Sequence, residues 1–163
     1  MKYDKRTKNN NAASAMDFCL RKLSYSMRTE HELKKLMETA EYTEEEIIEA
    51  LLSLKDFGYI DDNRYAEEFF KLGKSKGWSK MRIERELSLR GVGAGISRDI
   101  IEELSSEIDE REEAFLIAKK MLDAHISSGK AFDEKIKAKI GRRLISLGYN
   151  EGICYHVINK LRP

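Results

Sequence analysis

The chain has a single proline, Pro163, and only 10 glycines in 163 residues, so the residues that punctuate sheets and tight turns are scarce. It has two cysteines, Cys19 and Cys154, near opposite ends. They offer neither a disulfide framework nor paired metal-ligand spacing, and the expectation is a pair of reduced thiols. No segment approaches the apolar length that spans a bilayer, and the basic start MKYDKRTKNNN has no apolar stretch behind it. A cytoplasmic protein that avoids membranes is expected.

Signs of chemistry are equally sparse. There is no GxxxxGK[ST] phosphate loop, no GxSxG elbow and no HExxH pair. His31, His125 and His156 are scattered, and Cys154 with His156 is an i, i+2 pair that points to different helix faces. An enzyme would need a constellation assembled across distant segments; the reading is of no enzyme, no cofactor and no metal.

What the chain does contain is helix-forming material. Hydrophobic residues make up 41% and charged residues 36%, with Leu, Glu, Lys and Arg abundant, which predicts an all-α fold with a large solvated surface. A pattern then recurs three times. A polar stretch leads into a leucine-anchored basic helix, a short turn and a further amphipathic helix, with anchors Leu33, Leu87 and Leu144 about 54 and 57 residues apart. That spacing fits three helices per unit and predicts an elongated tandem array of three three-helix repeats: a basic arm over 1–11, then units over 12–60, 61–108 and 109–163.

Local signals support each unit. Thr29 with Glu32, and Thr43 with Glu46, are capping-box pairs ahead of helices that bury Leu33 and the Ile47, Ala50, Leu51, Leu54 stripe. Asp61 or Asp62 caps the helix that buries Tyr65, Phe69 and Leu72, while Gly73 and Gly77 are expected to loosen the chain after it. Ser79 leads into a helix with Ile83 and Leu87 on one face, closed by Gly91 and Val92; Gly148 and Tyr149 repeat that closure behind Ile136, Ile140 and Leu144. Asn150 caps the last helix, whose Ile153, Val157 and Leu161 recur every four residues. The adjacent Asp61 and Asp62 tempt toward a metal site, but helix capping accounts for them. Trp78 is expected to pack as core or staple rather than to stack on a base.

The formal net charge of +1 hides segregation. Residues 71–98 are rich in Lys and Arg, whereas residues 99–113 hold eight acids against Arg111. On the middle helices of the second and third units, Lys80, Arg82 and Arg85, and Lys135, Lys139, Arg142 and Arg143, flank the apolar faces. Any one stripe is an ordinary solvated face; its recurrence at equivalent places makes these residues candidates for electrostatic contact with a partner or with DNA.

Several segments resemble the RecX family, bacterial regulators of the RecA recombinase: MRTEHELKKL from Met27 to Leu36, GYIDDNRYAEEF from Gly58 to Phe69, KGWSKMRIERELSLRGV from Lys76 to Val92, and RRLISLGYNEGICYHVI from Arg142 to Ile158. They occur in family order, GYIDD followed by RYA being the most specific, and Thr29 stands where a serine is commoner. The resemblance implies a monomeric, non-enzymatic protein that binds the RecA filament on DNA, with direct contact to the DNA backbone open to it, and restrains recombinase and ATPase activity in repair and the SOS response. Acidic segments such as 41–49 would repel phosphate and help set orientation. Two other classes compete: a helix-turn-helix-like regulator that binds duplex DNA independently of any recombinase, and a nuclease that uses Asp61 and Asp62.

Overall fold

Helix caps divide this chain. In the computed structural model, which describes residues 14–105 and 109–162, every described helix but one follows a residue whose side chain accepts from its first turn. The expected basic arm over 1–11 lies outside the described residues. Ser14 starts α1 (Ala15–Leu23), Thr29 starts α2 (Glu30–Thr39) and Thr43 starts α3 (Glu44–Asp56). Both capping boxes form: Thr29 Oγ1 accepts from the Glu32 amide at 3.1 Å while the Glu32 carboxylate accepts from the Thr29 amide, and Thr43 with Glu46 does the same. Asp61 rather than Asp62 caps α4 (Asp62–Ser75), Ser79 caps α5 (Lys80–Leu89), and α6 (Ala94–Leu104) starts after Gly93 without a side-chain cap. Asp109, Asp133 and Asn150 cap α7 (Glu110–Ser127), α8 (Glu134–Ser146) and α9 (Glu151–Lys160).

The nine helices found among the described residues pack in threes. The main packing contacts run within α1–α3, within α4–α6 and within α7–α9, and the chain is an all-α, elongated tandem array of three-helix units. Each unit has its own core. Leu33, Met37, Ile47, Leu51 and Leu54 fill the first, Phe70, Ile83, Leu87 and Ile100 the second, and Leu122, Ile136, Ile140, Leu144 and Val157 the third. Cores this small bury too little apolar surface to be strongly stable alone, so contacts between units matter. Trp78 is packed against both the second and the third core.

Two expectations need correction. Leu72, expected on the buried face of α4, is 47% exposed, and Ala66, Phe69 and Phe70 fill that face instead. Gly73 does not loosen the chain: it is buried inside α4, where a Cβ would come within 2.7 Å of Ile83 Cγ1. The missing side chain lets α4 approach α5, and that close packing outweighs the weak helix propensity of glycine.

Candidate partner-binding surface

The three middle helices, α2, α5 and α8, end in the same way. After the cap residues Ala40, Arg90 and Leu147 comes a left-handed residue, Glu41 (φ 62°), Gly91 (φ 77°) or Gly148 (φ 93°), and then Tyr42, Val92 or Tyr149 returns its amide to the carbonyl of Met37, Leu87 or Leu144. This is a Schellman closure three times over.

That closure is also the joint between units. The Thr29 hydroxyl at the start of α2 donates to the Arg90 carbonyl at the end of α5, 2.6 Å away, and Gly91 lies directly against His31. One unit further on, the Ser79 amide at the start of α5 donates to the Leu147 carbonyl at the end of α8 at 3.0 Å, and Gly148 lies against Ser79 and Arg82. The first free amide of each following helix is satisfied alike: Glu30 donates to Asp62 Oδ1 at 3.1 Å, and Lys80 to Glu110 Oε1 at 2.7 Å. Asp62 and Glu110 are themselves the first residues of α4 and α7. The carbonyl end of α8 thus meets the amide end of α5, and the carbonyl end of α5 meets the amide end of α2. This arrangement aligns the helix dipoles and satisfies groups that helix ends otherwise leave bare.

Charge reinforces the second joint, and Arg90 is anchored within the second unit beside the first joint. Lys74 pairs with Glu113 across the second. Arg82 lies 4.3 Å from the centre of the Trp78 ring and donates to the Ser146 carbonyl of the next unit. Arg90 sits 4.5 Å from the Phe69 ring and bonds Glu86 at 2.8 Å. Burial pushes the Asp62 carboxyl above its ordinary value, with the Glu30 amide pulling the other way.

Of the cations singled out from sequence, Lys80 and Arg82 are therefore partly buried at the second joint, and the Lys80 ammonium reaches the Ser105 carbonyl at 3.4 Å. Arg85 points outward, 69% exposed, and Lys135, Lys139, Arg142 and Arg143 are all exposed along α8. Counting back from each cap brings out a residue that the sequence reading passed over. Lys35, Arg85 and Arg142 each precede the cap by five positions, and all three are exposed. The buried anchors precede it by three and seven, Met37 with Leu33, Leu87 with Ile83 and Leu144 with Ile140. Two residues turn a helix by about 200°, so the three cations point away from their own cores. Alignment on the left-handed turn was the signal that would have found Lys35.

No group of three or more His, Cys, Asp or Glu residues that could hold a metal occurs among the described residues. Asp61 instead accepts from the Asn63 and Arg64 amides at 2.9 and 3.2 Å, and Asp62 serves the first joint. Cys19 and Cys154 are buried and free. No helix among the described residues is long and apolar enough to cross a membrane.

Comparison with known proteins agrees with this architecture. Residues 15–54 match the family model described as RecX, first three-helix domain, and residues 61–104 match RecX, second three-helix domain. A regulatory protein RecX of Clostridium botulinum strain Eklund 17B is 32% identical over 146 residues, covering 86% of this chain and 65% of the relative. A regulatory protein RecX of Streptomyces coelicolor is 26% identical over 147 residues, covering 90% of this chain and 76% of the relative. The crystal structure of RecX from Lactobacillus salivarius has the same fold, with a TM-score of 0.70 at 24% identity over 90% of this chain and 94% of that one. The chain thus spans 65% of the length of the clostridial relative.

Proposed function

The chain belongs to the RecX family of regulatory proteins, and from that premise we propose that it binds the RecA filament assembled on DNA and restrains its ATP hydrolysis and strand exchange without catalysing a reaction itself. The observation that carries this reading is the repetition of one joint and one outward cation: Lys35, Arg85 and Arg142 stand at the same register on middle helices joined end to end. A helical filament presents the same surface again and again, and a repeating ligand held rigid can meet several protomers at once. Contacts that are weak singly then combine through effective concentration, which favours the filament over the free protomer. Lys135, Lys139 and Arg143 extend the basic face of α8, while the partly buried Lys80 and Arg82 act by holding the second and third units in register.

Regulation on this account is a population shift. A ligand that binds better to a filament state poor in strand exchange lowers activity in proportion to that preference. The test is a titration into RecA filaments preassembled on single-stranded DNA, following ATP hydrolysis, with binding to naked DNA measured at the same salt. Inhibition well below the concentration that coats naked DNA supports the filament-directed reading. Steeply salt-dependent binding to naked duplex with no effect on the filament would move the assignment to a DNA-binding regulator independent of the recombinase.

A further inference from the structure

An apolar groove of about 550 Å³ runs between α2 and α3 of the first unit. Ile47 and Leu51 are buried at its floor, whereas Ile48 and Leu52, one turn apart on α3, are 52% and 57% exposed. Tyr42 closes one end, and the rim carries Glu30, Glu38 and Glu44 against Lys34. Glu30 is paired with Lys55 at 2.7 Å and Glu38 with Lys34 at 4.0 Å, so the acidic surplus comes from Glu44 together with its exposed α3 neighbours Glu45 and Glu49.

This surface is not a by-product of the fold. Measured from the caps Thr43, Gly93 and Asn150, the positions of Ile48 and Leu52 are taken by Arg98 and Glu102 in the second unit and by Tyr155 and Asn159 in the third. The second unit makes the same three-helix core with charged residues there, so the core does not require Ile48 and Leu52 to be apolar. Two exposed aliphatic side chains a turn apart, over an apolar floor, match the one-faced ridge of an amphipathic helix, and the acidic surplus of Glu44, Glu45 and Glu49 on the same helix favours basic flanks and repels phosphate.

We propose that the α2–α3 groove of the first unit is a docking site for a basic amphipathic helix of a partner protein, separate from the outward cations of the middle helices. It accepts apolar side chains at i, i+3 and i+4, with lysine or arginine on either side. The site does not depend on the filament reading, since Lys35, Arg85 and Arg142 are not among the residues that line it and it selects the opposite charge.

The second unit supplies the control. Ile48→Arg with Leu52→Glu installs residues that this fold already carries at the same register, and it leaves the net charge unchanged. The probe is a labelled peptide with leucines at i, i+3, i+4 and i+7 and lysines elsewhere, set against an isomer with the leucines scrambled, and binding to the full chain is followed by fluorescence anisotropy. The native chain should bind the ordered peptide at least about tenfold more tightly than the scrambled one, and the double variant should lose that preference with its thermal melt unchanged. Equal binding of both peptides, or an unchanged preference in the double variant, would overturn the proposal. Concentration-dependent dimerisation abolished by the double variant would also overturn it, by assigning the groove to a second copy. So would a tenfold or greater gain in peptide affinity on replacing Lys2, Lys5, Arg6 and Lys8 by alanine, by assigning the groove to the chain's own basic segment.

Discussion

Gly91 lies so close to His31 that a Cβ added to it would overlap the histidine's own Cβ, while Glu41, at the same register of the first unit, carries a full side chain in the same left-handed backbone. The difference follows from what stands opposite. Gly91 and Gly148 each receive the start of a middle helix from the preceding unit, whereas among the described residues no unit faces Glu41, and its side chain is exposed. Gly148→Ala should therefore lose about 1 kcal/mol or more from the backbone alone and more from the contact with Ser79 Oγ, which a Cβ would approach to 2.6 Å. Glu41→Gly should gain up to about 1 kcal/mol. Thermal melts of the two variants check the pair, and a loss in Gly148→Ala no larger than the gain in Glu41→Gly would contradict the account of the joint.

The first joint also predicts a pH response. Asp62 is pushed up by burial, so its ionised form is less favoured folded than unfolded. Its contribution to stability is then full below the unfolded carboxyl value near 3.8 and diminishes as pH rises through the raised folded value. Asp62→Asn keeps an oxygen for the Glu30 amide and removes the titration. Relative to the native chain, this variant should gain stability as pH rises from about 4 to 6, as read by denaturant midpoints across that range. A constant difference between the two proteins would show that Asp62 titrates normally.

Tyr149 is 2% exposed, and its hydroxyl has no hydrogen-bond partner among the described residues. Burial, with Glu113 and Glu110 nearby, holds the phenol neutral far above any working pH. An unpartnered buried hydroxyl costs stability, so Tyr149→Phe should raise stability by about 1 kcal/mol in chemical denaturation. A loss of similar size would mean that the hydroxyl is satisfied in solution.

The thiols should be inert in the folded chain. Cys19 is fully buried against Met37 Sδ at 3.4 Å, and burial pushes its thiol up to about 11; Cys154 is buried and raised as well. Alkylation at pH 8 should be slow when native and fast in denaturant, with mass spectrometry counting the labels. Rapid native labelling at Cys19 would show that the first unit opens readily.

Much of the architecture was legible because its signals are local. Thr29 with Glu32, Thr43 with Glu46, Asp61, Ser79 and Asn150 act within one helical turn, and the closures after Arg90 and Leu147 need only the residues beside them. What was not legible depends on a neighbour distant in sequence. Gly73 reads as a weak point until Ile83 is seen against it. Arg82 reads as one more surface cation until Trp78 and the Ser146 carbonyl occupy its guanidinium. Lys35 sits among mixed charges, and its kinship with Arg85 and Arg142 emerges once the helices are aligned on their caps.

The most direct test of the central claim is the affinity for RecA filaments on single-stranded DNA, measured at fixed salt for Lys35→Glu, Arg85→Glu and Arg142→Glu singly and together, with helicity checked by circular dichroism. If three rigidly joined units bind at once, each reversal should weaken binding severalfold and the triple variant by roughly the product, on the order of a hundredfold or more. A folded triple variant that binds filaments as the native chain does would contradict the claim that these equivalent cations carry the interaction.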